Sequence, residues 1–200
     1  MKIDLRVEPI GYNRAIPKAA PQQERGSHMA DSSGTILAAV ESSTAVVRVQ
    51  GRAQAHQCPA FRRFAEQILA GDACRLHIDL SECEYFDSTF LGTLLHLRKT
   101  PGQDGGSVLT LVAPSEQCLQ ILGRMGARSL FRIDSGSSVD GDSQWHILPE
   151  EQPGQCGLDF KRNVVEAHQE LAQVDGPMQD KYRMIAELAA QDLAAAQQGE

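Results

Sequence analysis

Between residues 35 and 133, strand-sized apolar runs alternate with helix-sized amphipathic segments, and this alternation restricts the fold more than any other feature. Thr35–Val40 and Thr44–Val49 are β-rich, and Glu41, Ser42 and Ser43 between them suit a short hairpin turn. Gly51–Cys58 reads as a loop. Pro59 starts a helix in which Phe61, Phe64, Ala65, Ile68 and Leu69 recur at i, i+3, i+4, i+7 and i+8, and Gly71-Asp72 stops it. Arg75–Leu80 alternates and reads as a strand. Ser88–Arg98 carries Phe90, Leu91, Leu94, Leu95 and Leu97 at helical spacing, with Pro101 closing the helix. Ser107–Val112 is an apolar strand. Pro114-Ser115 opens a helix with Cys118, Leu119, Leu122 and Met125 on one side, and Leu130–Ile133 is a last short strand. The order β-β-α-β-α-β-α-β predicts parallel pairing through right-handed crossovers after an initial hairpin.

The rest of the chain divides around this unit. Asp134–Gln155 is rich in Ser, Gly and Pro, holds Trp145, and predicts a linker over 135–156. Phe160, Val164, Ala167 and Leu171 form one helical stripe, and Met178, Tyr182, Ile185, Ala189 and Leu193 a second. With Asp175-Gly176-Pro177 as the turn, they predict an antiparallel helical hairpin over 157–197. At the other end, Gly26-Ser27-His28-Met29 reads as the remnant of a cleavage and cloning site, with Met29 as the natural start. Residues 1–28 are then an added leader, a tether or a fused partner peptide. Its MKIDLRVEPI run (residues 1–10) has the pattern of a strand that could add to a sheet edge.

Charge and composition exclude several classes. The net charge is −7, and residues 1–28 carry Lys2, Arg6, Arg14, Lys18 and Arg25 against only Asp4, Glu8 and Glu24. The remainder is therefore more acidic than the whole. General nucleic-acid binding needs a basic face, and none is expected here. No run approaches the length of a transmembrane helix. The five cysteines, Cys58, Cys74, Cys83, Cys118 and Cys156, are an odd number with no export signal, which points to a reducing cytoplasm. No CxxC, HExxH, GxSxG, GxGxxG or phosphate-loop pattern occurs, so neither a metal nor a cofactor is expected.

The segment with the most chemical information runs from His77 to Leu95. A strand ends near Leu80, and Asp87 or Ser88 stands where an N-cap belongs, ahead of an apolar helix. Functional sites of open α/β sheets gather at such C-terminal strand ends. Ile78-Asp79-Leu80-Ser81 followed by Asp87-Ser88-Thr89-Phe90-Leu91-Gly92 resembles the paired motif of the STAS domain, the fold of bacterial anti-sigma factor antagonists. The one departure is Phe90, where that family usually has glycine.

The resemblance implies an α/β fold with a STAS-like mixed β-sheet flanked by helices over residues 29–134. The helical hairpin is then a C-terminal extension. It implies a non-enzymatic binding protein in a partner-switching pathway, with Ser88 phosphorylated by an anti-sigma factor that is also a serine kinase. A PP2C-type phosphatase would remove the phosphate. Asp87, Ser88, Thr89, Phe90 and Leu91 are then the partner-binding residues, and Asp79 and Ser81 support the site loop. Phe90 reads either as a modifier of partner fit or as a core residue of the helix. Two other functions compete. One is a STAS scaffold or transporter-complex subunit without a serine switch. The other is a small hydrolase with Ser88 as nucleophile, for which His77 and His96 are the candidate bases and neither has an evident partner in the sequence.

Overall fold

The structure is a computed structural model that describes residues 34–41, 43–70, 75–100, 108–136, 144–151 and 157–198; the expectations for residues 1–28 fall outside these. Among the described residues, seven strands and five α-helices build a mixed sheet flanked by helices. The first two strands, β1 (Thr35–Glu41) and β2 (Thr44–Ala53), form the antiparallel hairpin that their β-branched runs predict. After helix α1 (Cys58–Ala70), strand β3 (Arg75–Asp79) lies parallel to β2. Strand β4 (Cys83–Phe86) leads into helix α2 (Ser88–Arg98). Strand β5 (Leu109–Val112), helix α3 (Glu116–Arg124) and strand β6 (Arg132–Asp134) extend the parallel part. Strand β7 (His146–Ile147) follows, and the order across the sheet is β6-β5-β3-β2-β1-β7. The last two helices, α4 (Leu158–Leu171) and α5 (Gln179–Gln198), pair as a hairpin.

The core forms where the sequence puts its branched and aromatic side chains. Val47, Val49, Leu76, Ile78, Leu109 and Leu111 from the strands meet Phe61, Phe90 and Leu94 from the helices, all without exposed surface. Burying each such side chain contributes on the order of 2 kcal/mol. β2 is the branching strand. Its first half pairs with β3, from Thr44↔Arg75 to Arg48↔Asp79, and its second half pairs with β4 through Gly51↔Cys83 and Ala53↔Phe86. Gly51 makes the change of partner possible. It sits at φ +70°, where a side chain would be strained, and the register shifts just after it.

Several elements differ from the sequence expectation. Gly51–Cys58 is not a loop throughout: β2 continues to Ala53, and a single 3₁₀ turn covers Ala55–Gln57. β4 is an additional strand inside the motif segment. Residues 144–151, expected within a linker, are tied to the sheet edge. Leu37↔Ile147 and Ala38↔His146 pair, and Leu148 N donates to the Ile36 carbonyl at 2.9 Å. The Arg48 guanidinium stacks 4.7 Å from the centre of the Trp145 ring.

The turn from β3 to β4 is organised by one buried carboxylate. Asp79 has no exposed surface and accepts from Arg48 Nε at 2.9 Å through Oδ2. Its Oδ1 accepts from the Ser81 backbone N–H at 3.0 Å and from the Ser81 hydroxyl at 2.7 Å. Breaking a buried ion pair from one side costs several kcal/mol because the remaining groups stay desolvated. Asp79→Ala is therefore expected to lower unfolding stability by about 3 kcal/mol. Urea unfolding followed by circular dichroism measures this, and an unchanged midpoint would refute the role given to the carboxylate.

Candidate functional site

The site lies where β4 hands over to α2. An exposed first helical turn has N–H groups without acceptors, and the residue before it must supply one. Asp87 does so in extended conformation, with Oδ1 accepting from Phe90 N at 2.9 Å. Its Oδ2 accepts from Ala55 N at 2.8 Å, and its own N–H donates to the Ala53 carbonyl at 3.1 Å. The carboxylate therefore clamps the start of α2 to the end of β2. Burial pushes the Asp87 carboxyl above its ordinary value. The N–H donors of Phe90, Ala55 and Thr89, and the nearby His168, act in the opposite sense.

Ser88 follows as the first residue of α2 and is half-buried. Its Oγ lies 3.1 Å from His168 Nε2 on α4. His168 Nδ1 is 2.8 Å from the Val164 carbonyl, which can only accept. Nδ1 thus carries a proton, and in the neutral ring Nε2 accepts from the serine hydroxyl. The two partners are 80 residues apart, and no spacing rule links them. His168 was legible only as the neighbour of Ala167 in an apolar stripe.

The remaining motif residues take different places. Thr89 is 5% exposed, and its carbonyl accepts from Thr93 Oγ1 at 2.9 Å. Phe90 and Leu91, expected at a partner surface, have no exposed surface at all. Phe90 stacks on Phe61 with ring centres 5.3 Å apart and leans on Phe86 at 6.0 Å. It is a core residue, so a partner at the start of α2 meets neither ring nor Leu91 side chain. Asp79 accepts from Ser81 and from Arg48, not from Ser88.

The structure also decides among the histidines. His77 is half-buried in β3, and burial, followed by the charge of Arg75, lowers its pKa. His96 stands two turns beyond Ser88 and lies 3.1 Å from Arg62 Nη2 and 3.3 Å from Glu66. Neither pairs with Ser88. The group with the geometry of a base is His168, but it is 4% exposed.

Because the Asp87 carboxyl is raised in the folded state, its ionised form is disfavoured there. Stability contributed by this group is complete below the unfolded value of 3.8 and falls as pH rises through the folded value. Asp87→Ala removes acceptors from two backbone donors and is expected to cost about 2 kcal/mol at neutral pH. The wild-type advantage should grow as pH falls toward 3.8. Paired denaturation curves across that range check the sign; an advantage that shrinks on acidification would contradict it.

Residues 36–132 match the family model described as "Mlab, STAS domain". No curated protein matches the chain. Among solved structures, an anti-sigma factor antagonist from Mycobacterium paratuberculosis is similar at 24% identity. That match covers 54% of this chain and 90% of the other, with a TM-score of 0.46. The anti-sigma factor antagonist SpoIIAA in its unphosphorylated form is similar at 18% identity. It covers 50% of this chain and 86% of its own, with a TM-score of 0.42. Helices α4 and α5 lie beyond the matched residues. The paired motif, the mixed sheet and this match agree on a STAS-like domain over residues 36–132.

Proposed function

We propose that the protein is an anti-sigma factor antagonist that works as a phosphorylation-controlled binding switch, with Ser88 as the modified residue. The observation that carries this reading is the position of Ser88 in the first turn of α2, directly after the Asp87 cap, inside a STAS domain. A phosphate there would add roughly −1.5 to −2 charge and three acceptor oxygens. A helix N-terminus accommodates such an anion through its dipole and free N–H groups, worth about 0.3–1 kcal/mol per charge. The domain would stay folded while the added charge stands beside the Asp87 carboxylate. A loss of about 3 kcal/mol in binding would weaken a partner's affinity more than a hundredfold. An anti-sigma factor with serine kinase activity is the partner that adds the phosphate and is released by it. A PP2C-type phosphatase is the one that resets the switch. The chain acts as acceptor and ligand, not as catalyst, and its setting is the bacterial cytoplasm.

A second reading has one specific observation in its favour. Ser88 is covered by α4 and bonded to His168, which suits a STAS scaffold or transporter-complex subunit that never exposes the serine. Kinase treatment separates the two. Incubated with ATP and its anti-sigma factor kinase, the wild-type chain is expected to gain one phosphate by intact mass, and Ser88→Ala none. Ser88→Glu should bind that kinase at least tenfold more weakly than wild type. Phosphate retained in Ser88→Ala, or equal binding by Ser88→Glu, would overturn the switch.

A further inference from the structure

Helix α4, which lies beyond the matched residues 36–132, packs on α2. Helical spacing puts Ser88, Gly92, His96 and Lys99 on that face, opposite Phe90, Leu94 and Leu97, which are buried in the core. The inner face is aromatic and aliphatic. The outer face mixes small, polar and charged residues with the buried Leu91 and Leu95.

Each outer position has a counterpart on α4. Ser88 meets His168 at 3.1 Å. Gly92 lies against the α4 backbone so closely that a Cβ on it would sit 2.2 Å from the Ala167 carbonyl oxygen. Lys99 pairs with Glu170, and Arg62 of α1 pairs with Glu166. Thr93 Oγ1 accepts from Asn163 Nδ2 at 3.2 Å. Two buried polar atoms of the hairpin, Asn163 Oδ1 and the Tyr182 hydroxyl, have no hydrogen-bond partner in the structure. These polar contacts fix register and orientation, while Leu171 of α4 and Tyr182 of α5 join the buried core.

We infer that the outer face of α2 is a helix-docking seat whose built-in occupant is α4, and that a partner reaches Ser88 by replacing α4. The replacing element is an amphipathic helix of the same chemistry. It carries a small residue at the Gly92 crossing and carboxylates one turn apart, facing Arg62 and Lys99 as Glu166 and Glu170 do. This rests on reading the start of α2 as the partner surface. Because α4 is tethered, its local concentration is high, and a partner's apparent affinity falls by the fraction of time the seat stands open. The hairpin thereby sets a threshold on engagement, separate from any phosphate.

The test needs neither kinase nor ATP, so a Ser88 that is never phosphorylated leaves its outcome readable. The probe is a fluorescent peptide of residues 157–172, added to the full chain. Ala167→Leu in the chain keeps a strong helix former but places a bulky side chain at the buried residue whose backbone crosses Gly92. It should expel α4 and open the seat. The peptide is expected to bind Ala167→Leu at least tenfold more tightly than wild type, and Gly92→Ala added to that variant should abolish the gain. Equal binding to wild type and Ala167→Leu would overturn the inference. If Ala167→Leu does not fold, hydrogen exchange on the wild-type chain decides. Amides of α4 and α5 exchanging together, at least tenfold faster than those of β2, β3 and β5, support a displaceable hairpin. Exchange at the same rate as those central strands overturns it.

Discussion

The geometry of the site depends on one carboxylate with two backbone donors. Asp87 holds Phe90 N at 2.9 Å and Ala55 N at 2.8 Å, and so joins the first turn of α2 to the end of β2. Everything else about α2 follows from that joint. It fixes the rotation of the helix, which sends Phe90 into the core against Phe61 and Phe86. The same rotation turns Ser88, Gly92, His96 and Lys99 outward. The cost is a buried charge, visible in the raised Asp87 carboxyl, and the backbone donors offset part of it.

A second carboxylate performs the matching task one turn of chain earlier. Asp79 binds Arg48 on β2 and both Ser81 groups, so the β3–β4 turn is fixed to the same strand that Asp87 grips further along. β2 is thus the common anchor. Its partner change at Gly51 lets β3 occupy one stretch and β4 the next, and β4 delivers Asp87 and Ser88 to the sheet edge. Outside this frame the α4–α5 hairpin forms a further layer. Its contacts with α2 include a serine–histidine hydrogen bond, a glycine crossing and an ion pair, and Leu171 and Tyr182 add it to the buried core.

Much of this was legible in the residues. The β1–β2 hairpin, the helical spacing of Ser88–Arg98 and the two C-terminal stripes all have local causes, and the elements form where those causes act. What escaped the sequence depends on distant pairing. β4 is four residues long with only Cys83 and Phe86 buried, too short for an alternation to register. β7 has two residues and exists because β1 offers it an open edge. In α4 the expected stripe of Phe160 and Val164 is only half-buried, whereas Asn163 and His168 are buried. A helix packed between α2 and α5 must cover two faces, and one apolar stripe describes only one. The Ser88–His168 contact joins residues that no local rule connects.

In the proposed function, Ser88 is a position for reversible modification rather than a plain helix start. The most direct measurement is site-resolved peptide mass mapping of the protein isolated from its own cells under several growth conditions. A single phosphate, confined to Ser88 and varying in occupancy between conditions, is the predicted result. A chain recovered without phosphate at Ser88 in every condition, or with phosphate only elsewhere, would contradict the assignment.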